Sequence, residues 1–166
     1  MAQVTLKGKP IHTCGELPEV GTKAMNFTLT KIDLSDTTLA DYSGKRIVLN
    51  IFPSIDTEVC AASVRYFNRD VAKRADTVVL CVSLDLPFAH KRFCGADGLT
   101  DVISVSEMRS RAFGEFYGVR IVDGPLAGLF ARAVIIIDPQ GMISYTQLVP
   151  EIVQEPDYES VLQFLG

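Results

Sequence analysis

The sequence predicts an α/β fold built on a central sheet of mixed strand direction, and three observations carry that expectation. Apolar runs at Ile47–Phe52, Thr77–Ser83 and Ala131–Ile137 have the length and character of strands buried on both faces. The first two runs are each followed by a stretch with helical spacing or helix-start residues. The third instead meets Asp138-Pro-Gln-Gly141, a tight-turn sequence, and then a further strand and a closing helix. Strands alternating with helices and ending in an antiparallel hairpin make a mixed sheet flanked by helices.

Taken in order, Val4–Lys7 and Ile11–Thr13 flank Gly8-Lys9-Pro10 and predict an N-terminal β-hairpin. Cys14 follows it without a motif of its own. Pro18–Thr22 is a loop, Phe27–Lys31 a short strand and Asp33–Asp36 a turn. Thr38–Tyr42 reads as an ordered loop or single helical turn, closed by Ser43-Gly44 before the central strand. Pro53 ends that strand, because it offers no N–H to a ladder and fixes φ. Ser54, Asp56 and Thr57 are turn and N-cap residue types. From Glu58 a helix begins, with Val59, Ala62, Ser63, Phe67 and Val71 on one stripe.

The strand Thr77–Ser83 carries Cys81 at its middle, where a thiol is core filler. Asp85 as cap, Pro87 in the first turn and Gly95 as stop predict a short second helix with Cys94 at its C-terminal end. Val102–Val105 is a strand, and Arg109–Tyr117 a helix anchored by Phe113 and Phe116 and closed by Gly118. Val119–Val122 is strand-like, and Asp123–Gly128 a turn-rich loop. Ala131–Ile137 pairs with Met142–Leu148, Val149–Glu155 is a loop, and Asp157 caps a last helix through Tyr158, Val161, Leu162 and Leu165. A βαβ unit finished by a hairpin and a helix is the thioredoxin-like arrangement. With no internal repeat, linker or low-complexity segment, residues 1–166 read as one domain.

Composition narrows the class. With 166 residues, 48% of them apolar and 22% charged, the chain can bury a core without staples and is not of the disordered type. A net charge of −4 argues against bulk electrostatic binding to nucleic acid or to anionic membrane. No apolar run reaches the length that spans a bilayer, and the first ten residues lack the pattern of a secretory signal. The expected compartment is the cytoplasm, with the periplasm left open. The four cysteines are too few and too scattered for a disulfide scaffold, and none forms a Cys-x-x-Cys. No cofactor is called for. His90 and Cys94, four apart on a helix, could make half a metal site, but no second pair has the spacing.

The chemistry concentrates at Cys60. It falls in the first turn of a helix that follows the central strand, where unpaired N–H groups and the positive end of the helix dipole favour an anion. A thiol in such a place is biased towards thiolate, the nucleophilic form. Pro53, Thr57 and Cys60 form Pro-x-x-x-Thr-x-x-Cys. Pro53 can shield the sulfur from water, and the Thr57 hydroxyl can both donate to and accept from a small polar substrate. Structural roles account for the same residues: a strand breaker, a helix cap and a small core side chain.

Pro53-Ser-Ile-Asp-Thr-Glu-Val-Cys60 resembles the active-site motif of the peroxiredoxins. The longer run Leu49–Val64 is similar to that of their atypical two-cysteine branch, the bacterial thiol peroxidases, and so are Asp85-Leu-Pro-Phe-Ala, Arg92-Phe-Cys-Gly95, Asp123-Gly-Pro-Leu, Ala131-Arg-Ala and Glu155-Pro-Asp-Tyr158. The resemblance therefore spans essentially the whole chain. It implies that Cys60 is the peroxidatic cysteine, Thr57 its peroxide-aligning partner, Pro53 its shield and Cys94 the resolving cysteine of the same chain. It further implies that Arg132 is the active-site arginine, whose guanidinium would stabilise a thiolate and the charge moving onto the peroxide oxygens. Substrates would be hydrogen peroxide and alkyl hydroperoxides, the reductant thioredoxin, and the assembly a homodimer. Two rival readings remain. Cys60-Ala-Ala-Ser63 is the Cys-x-x-Ser of a thiol-disulfide oxidoreductase, and a non-enzymatic redox sensor could use a Cys60–Cys94 bond to switch a surface.

Overall fold

A computed structural model describes residues 1–166. The N-terminal hairpin pairs β1 (Gln3–Leu6) with β2 (Lys9–His12). Its turn is Lys7-Gly8, both at positive φ (51° and 80°), so the reversal comes two residues earlier than Pro10 and Pro10 itself lies in β2. β3 (Thr28–Lys31) and β4 (Asp36–Thr38) form a second hairpin, and the single helical turn expected after it spans Leu39–Tyr42. Then come β5 (Arg46–Ile51), α1 (Glu58–Asp70), β6 (Thr77–Ser83), α2 (Pro87–Asp97), β7 (Ile103–Ser106) and α3 (Ala112–Phe116). β8 (Ala133–Ile137), β9 (Ile143–Leu148) and α4 (Tyr158–Leu165) close the chain.

The main sheet runs β4-β3-β7-β6-β5-β8-β9. β5, β6 and β7 are parallel, and β3, β4, β8 and β9 run against their neighbours, so the expected mixed sheet is present. β5 lies inside the sheet between β6 and β8, in keeping with its burial on both faces. Successive side chains alternate across the sheet. Ile47, Leu49 and Ile51 join one core with Leu80, Val82, Ile135, Phe113 and Phe130. Val48 and Phe52 join the other with Val64, Phe67, Val134, Ile136 and Val161, beneath α1 and α4. Each fully buried Val, Leu or Phe of these layers contributes about 1.5–3 kcal/mol, which is what fixes the register of the strands that carry the site.

Several expected boundaries move. α2 continues through Gly95 and stops at Gly98, whose φ of 65° supplies the left-handed cap that a residue with a Cβ resists. Leu86, not Asp85, holds its N-cap position, with Pro87 in the first turn as expected. α3 is shorter than the predicted Arg109–Tyr117, because Met108 and Arg109 form a turn in which the Ser110 N–H donates to the Glu107 carbonyl at 3.3 Å, and helical geometry starts only at Ala112. The strand-like Val119–Val122 makes isolated bridges, Arg120 with Phe130 and Thr13 with Ile121, and no continuous strand. The Asp157 cap is present, its carboxylate accepting from the Ser160 backbone N–H at 3.1 Å.

Candidate active site

Where β5 ends, the chain leaves the sheet through Phe52 and Pro53 and makes a turn before α1. Thr57 stands at the N-cap of α1 with extended backbone. Its hydroxyl does not cap the helix. It donates to the Ser54 carbonyl at 3.0 Å, and the Thr57 N–H reaches the same oxygen at 3.2 Å. The Thr57 oxygen keeps its acceptor capacity. Cys60 follows in the first turn and is fully buried.

Arg132 arrives from the next strand. Ala133 of β8 lies opposite Ile51 of β5, so Arg132 falls one residue beyond the paired region, beside the end of β5. Its Nη2 donates to Cys60 Sγ at 3.4 Å and to the Ile152 carbonyl at 2.9 Å, and its Nε donates to that carbonyl at 3.1 Å. The side chain is 2% exposed, it makes no salt bridge with a carboxylate, and Nη1 has no hydrogen-bond partner. A buried guanidinium is costly unless a charge or several acceptors face it. Here the facing groups are one backbone carbonyl and one sulfur.

Asn50, which sequence reasoning passed over, and Ser63, which it took as the end of a Cys-x-x-Ser, hold Cys60 from behind. Asn50, the last residue but one of β5, donates to the Ser63 hydroxyl at 3.2 Å, and that hydroxyl donates to the Cys60 carbonyl at 2.8 Å. The only available signal was a lone polar residue in an otherwise apolar strand, Asn50 between Leu49 and Ile51.

Cys94 lies elsewhere. It is buried on α2, and its sulfur meets the Ser104 hydroxyl of β7 at 3.4 Å. Burial pushes its thiol up from the ordinary value, against the smaller lowering effect of Ser104. A cavity of about 330 Å³ opens beside it. All four cysteines are free, so Cys60 and Cys94 stand as separate thiols with separate partners. His90 and Cys94 share a face of α2 but do not converge on one point: His90 Nε2 faces Ser83 at 3.0 Å, and Cys94 faces Ser104. Cys81 is buried in β6, where burial pushes its thiol up to about 12. Cys14 is half-buried beside the Gly114 carbonyl.

The structure thus brings together Pro53, Thr57, Cys60 and Arg132 around the end of β5, and leaves Cys94 on the neighbouring helix. The Cys60 sulfur and the Arg132 guanidinium are in direct contact, and Thr57 stands exposed at the N-cap three residues before Cys60.

Residues 19–162 match the family model described as Redoxin. The thiol peroxidase of Mycobacterium tuberculosis is 56% identical over 166 residues, covering 100% of this chain and 99% of that protein. A peroxiredoxin-like protein from Aquifex aeolicus shares 39% identity and superposes with a TM-score of 0.93, covering 98% of this chain and 95% of that one. A thiol peroxidase from Chromobacterium violaceum has the same fold at 21% identity, with a TM-score of 0.91 over 99% of this chain and 96% of its own.

Proposed function

The chain belongs to the redoxin family and is a peroxiredoxin of the thiol peroxidase kind; from that premise we propose that it reduces hydrogen peroxide and alkyl hydroperoxides through Cys60, Cys94 and an external dithiol. The observation that carries this reading is the contact between Cys60 Sγ and the buried Arg132 guanidinium at the first turn of α1. As a thiolate, Cys60 is the counter-charge that the guanidinium otherwise lacks. Nη1, buried and unpartnered, is a donor for a peroxide oxygen. Thr57 supplies the acceptor for the hydroperoxide proton, and Pro53 covers the sulfur.

The reaction is a nucleophilic displacement. Cys60 sulfur attacks the terminal oxygen of R–O–OH, an S–O bond forms, and the O–O bond breaks. The electron pair leaves on the R–O fragment, which takes up a proton and departs as alcohol, or as water from hydrogen peroxide. Arg132 stabilises the charge as it shifts from sulfur to the leaving oxygen. Cys94 sulfur then attacks the Cys60 sulfenic acid. An S–S bond forms, the S–O bond breaks, and water leaves with the thiol proton. Thioredoxin reduces the disulfide by exchange and restores two thiols.

The two sulfurs must approach for the second step, because a disulfide needs Cα atoms within about 7 Å and suitable Cβ directions. Each thiol has its own partner in the reduced state, Arg132 for Cys60 and Ser104 for Cys94. Local rearrangement of the first turn of α1 and of α2 therefore belongs to the cycle. We propose a homodimeric assembly, as the family resemblance implies. No helix is long and apolar enough to cross a membrane.

The test is peroxide consumption coupled to thioredoxin, thioredoxin reductase and NADPH. Wild type should turn over, Cys60→Ser should lose turnover by at least about a thousandfold, as removal of a nucleophile does, and Cys94→Ser should stop after one equivalent. Unchanged turnover in Cys60→Ser would overturn the assignment. Stoichiometric oxidation of wild type without turnover would favour the redox sensor or another reductant.

A further inference from the structure

Asp85 was expected to cap α2, yet its carboxylate turns the other way. Oδ1 accepts from the Ser54 hydroxyl at 2.9 Å, and Oδ2 accepts from the Ile55 N–H at 2.8 Å and the Ser83 hydroxyl at 2.6 Å. Ser54 is itself the hinge pin of the turn before Cys60. Its hydroxyl accepts from the Asp56 N–H, and its carbonyl accepts both the hydroxyl and the N–H of Thr57. A carboxylate in the β6–α2 connection thereby fixes where the Thr57 hydroxyl stands.

The network also runs the other way, into α2. The Ser83 hydroxyl has a single proton, and its short bond to Asp85 uses it. His90, 3.0 Å away on the same hydroxyl, must then be the donor through Nε2–H. His90 is fully buried, Nδ1 is left without a partner, and burial pushes the ring below its ordinary pKa. A neutral ring protonated on Nε2 satisfies all of these observations. His90 lies one helical turn before Cys94, and its ring meets Phe52, the residue ahead of Pro53, edge-on at 6.3 Å between centroids.

We propose that Asp85 is a positioning residue which, with Ser83 and His90, latches the Pro53–Thr57 turn to α2 and so sets the balance between the peroxide step and disulfide formation. The inference rests on the peroxidase reading above. While the latch is closed, Thr57 and Cys60 are held for peroxide and Cys94 is held against Ser104. Disulfide formation requires the two flanks of Asp85 to separate. A tighter latch therefore favours the first step, lengthens the life of the sulfenic acid, and exposes it to a second peroxide that carries it to sulfinic acid.

The experiment is a rapid-quench time course with hydrogen peroxide, read by intact mass after thiol blocking, on wild type, Asp85→Asn, Asp85→Ala and Ser83→Ala. Asp85→Ala removes all three bonds. It should oxidise Cys60 several-fold more slowly, convert the sulfenic acid to disulfide several-fold faster, and give correspondingly less sulfinic acid per turnover. Asp85→Asn can keep one oxygen towards Ile55 and Ser83 and offer its amide to Ser54, and should recover both rates to within about twofold. Should Asp85→Ala not fold, Ser83→Ala carries the test, since it cuts only the α2 side and should still speed disulfide formation. A parallel fall of both rates, or an unchanged rate of disulfide formation, would overturn the latch and leave the peroxidase reading standing. If wild-type Cys60 takes up no oxygen at all, the peroxidase reading falls and the latch with it.

Discussion

The two helices that carry Cys60 and Cys94 are anchored in opposite ways. α1 buries Cys60, Ala61, Ser63, Val64, Phe67 and Asn68, and Val64 and Phe67 sit in the core with no exposed surface. α2 buries only Pro87, His90 and Cys94; Phe88 is 62% exposed and Phe93 half-buried. What ties α2 to the site is mostly polar: Arg92 to Asp56, Arg65 to Asp97, and the Asp85 network. Apolar burial is lost only when the core opens, whereas exposed ion pairs exchange with water at little cost. In the proposed cycle the difference separates a helix that holds the Cys60 nucleophile in place from one that can leave to deliver the Cys94 thiol.

The largest effect that could break this comparison is on stability. Phe67→Ala should cost about 3–5 kcal/mol, the range for a large aromatic removed from a closed core, while Phe93→Ala on α2 should cost about 1 kcal/mol. Urea midpoints at constant m-value decide it. Equal costs for the two would mean that α2 is as firmly seated as α1 and that the cycle needs a different moving part.

The frame of the site was legible because it rests on local rules. A buried apolar run broken by Pro53, followed by turn residues and a helical stripe, places Cys60 without any tertiary information, and β6 has the expected limits, Thr77–Ser83. Arg132 was reached through the resemblance of Ala131-Arg-Ala alone, since a charge beside an apolar run reads equally well as a solvated strand end. What escaped was set by distance in the chain. The Ile152 carbonyl that orients Arg132 is a backbone atom and has no sequence signature. Asp85 looks like a cap because residue type cannot tell which way a carboxylate turns, and its partners Ser54 and Ile55 come from another segment. β4 was missed because three residues, Asp36–Thr38, are too few to show a period. The buried pair Glu107–Arg120 is likewise invisible to spacing rules, since it joins β7 to a loop with no regular period between them.

The next test concerns Cys81, a sulfur to which the proposed cycle gives no part. Burial pushes the Cys81 thiol from 9.0 up to about 12, with Asn50 lowering it slightly and Cys94 raising it. The folded value lies above the unfolded one, so the stabilisation is whole below about pH 9 and is lost as pH rises towards about 12, when the unfolded chain gains a charge that the folded one excludes. Between pH 8 and 10.5 the wild type should lose about 2 kcal/mol more than Cys81→Ala, whose cavity penalty is the same at both pH values and cancels. Parallel pH profiles would show that β6 admits water to Cys81, against the seating of the core beneath α1.

The smallest effect is the sharpest probe of α2. Arg92 and Asp56 are 66% and 62% exposed, and Arg65 is 52% exposed opposite Asp97. Pairs of this kind are worth about 0.2–1 kcal/mol and are screened when the Debye length falls to about 3 Å in 1 M salt. Amide hydrogen exchange in α2 should therefore quicken by up to about fivefold on going from 0.05 to 1 M NaCl. The amides of Val64 and Phe67 should not respond, since apolar burial is insensitive to screening and strengthens slightly with salting-out. Arg92→Ala should remove part of the salt response of α2 and none from α1. A uniform response in both helices would place the mobility in the whole sheet face, and the distinction between a fixed and a departing cysteine would fail at its weakest joint.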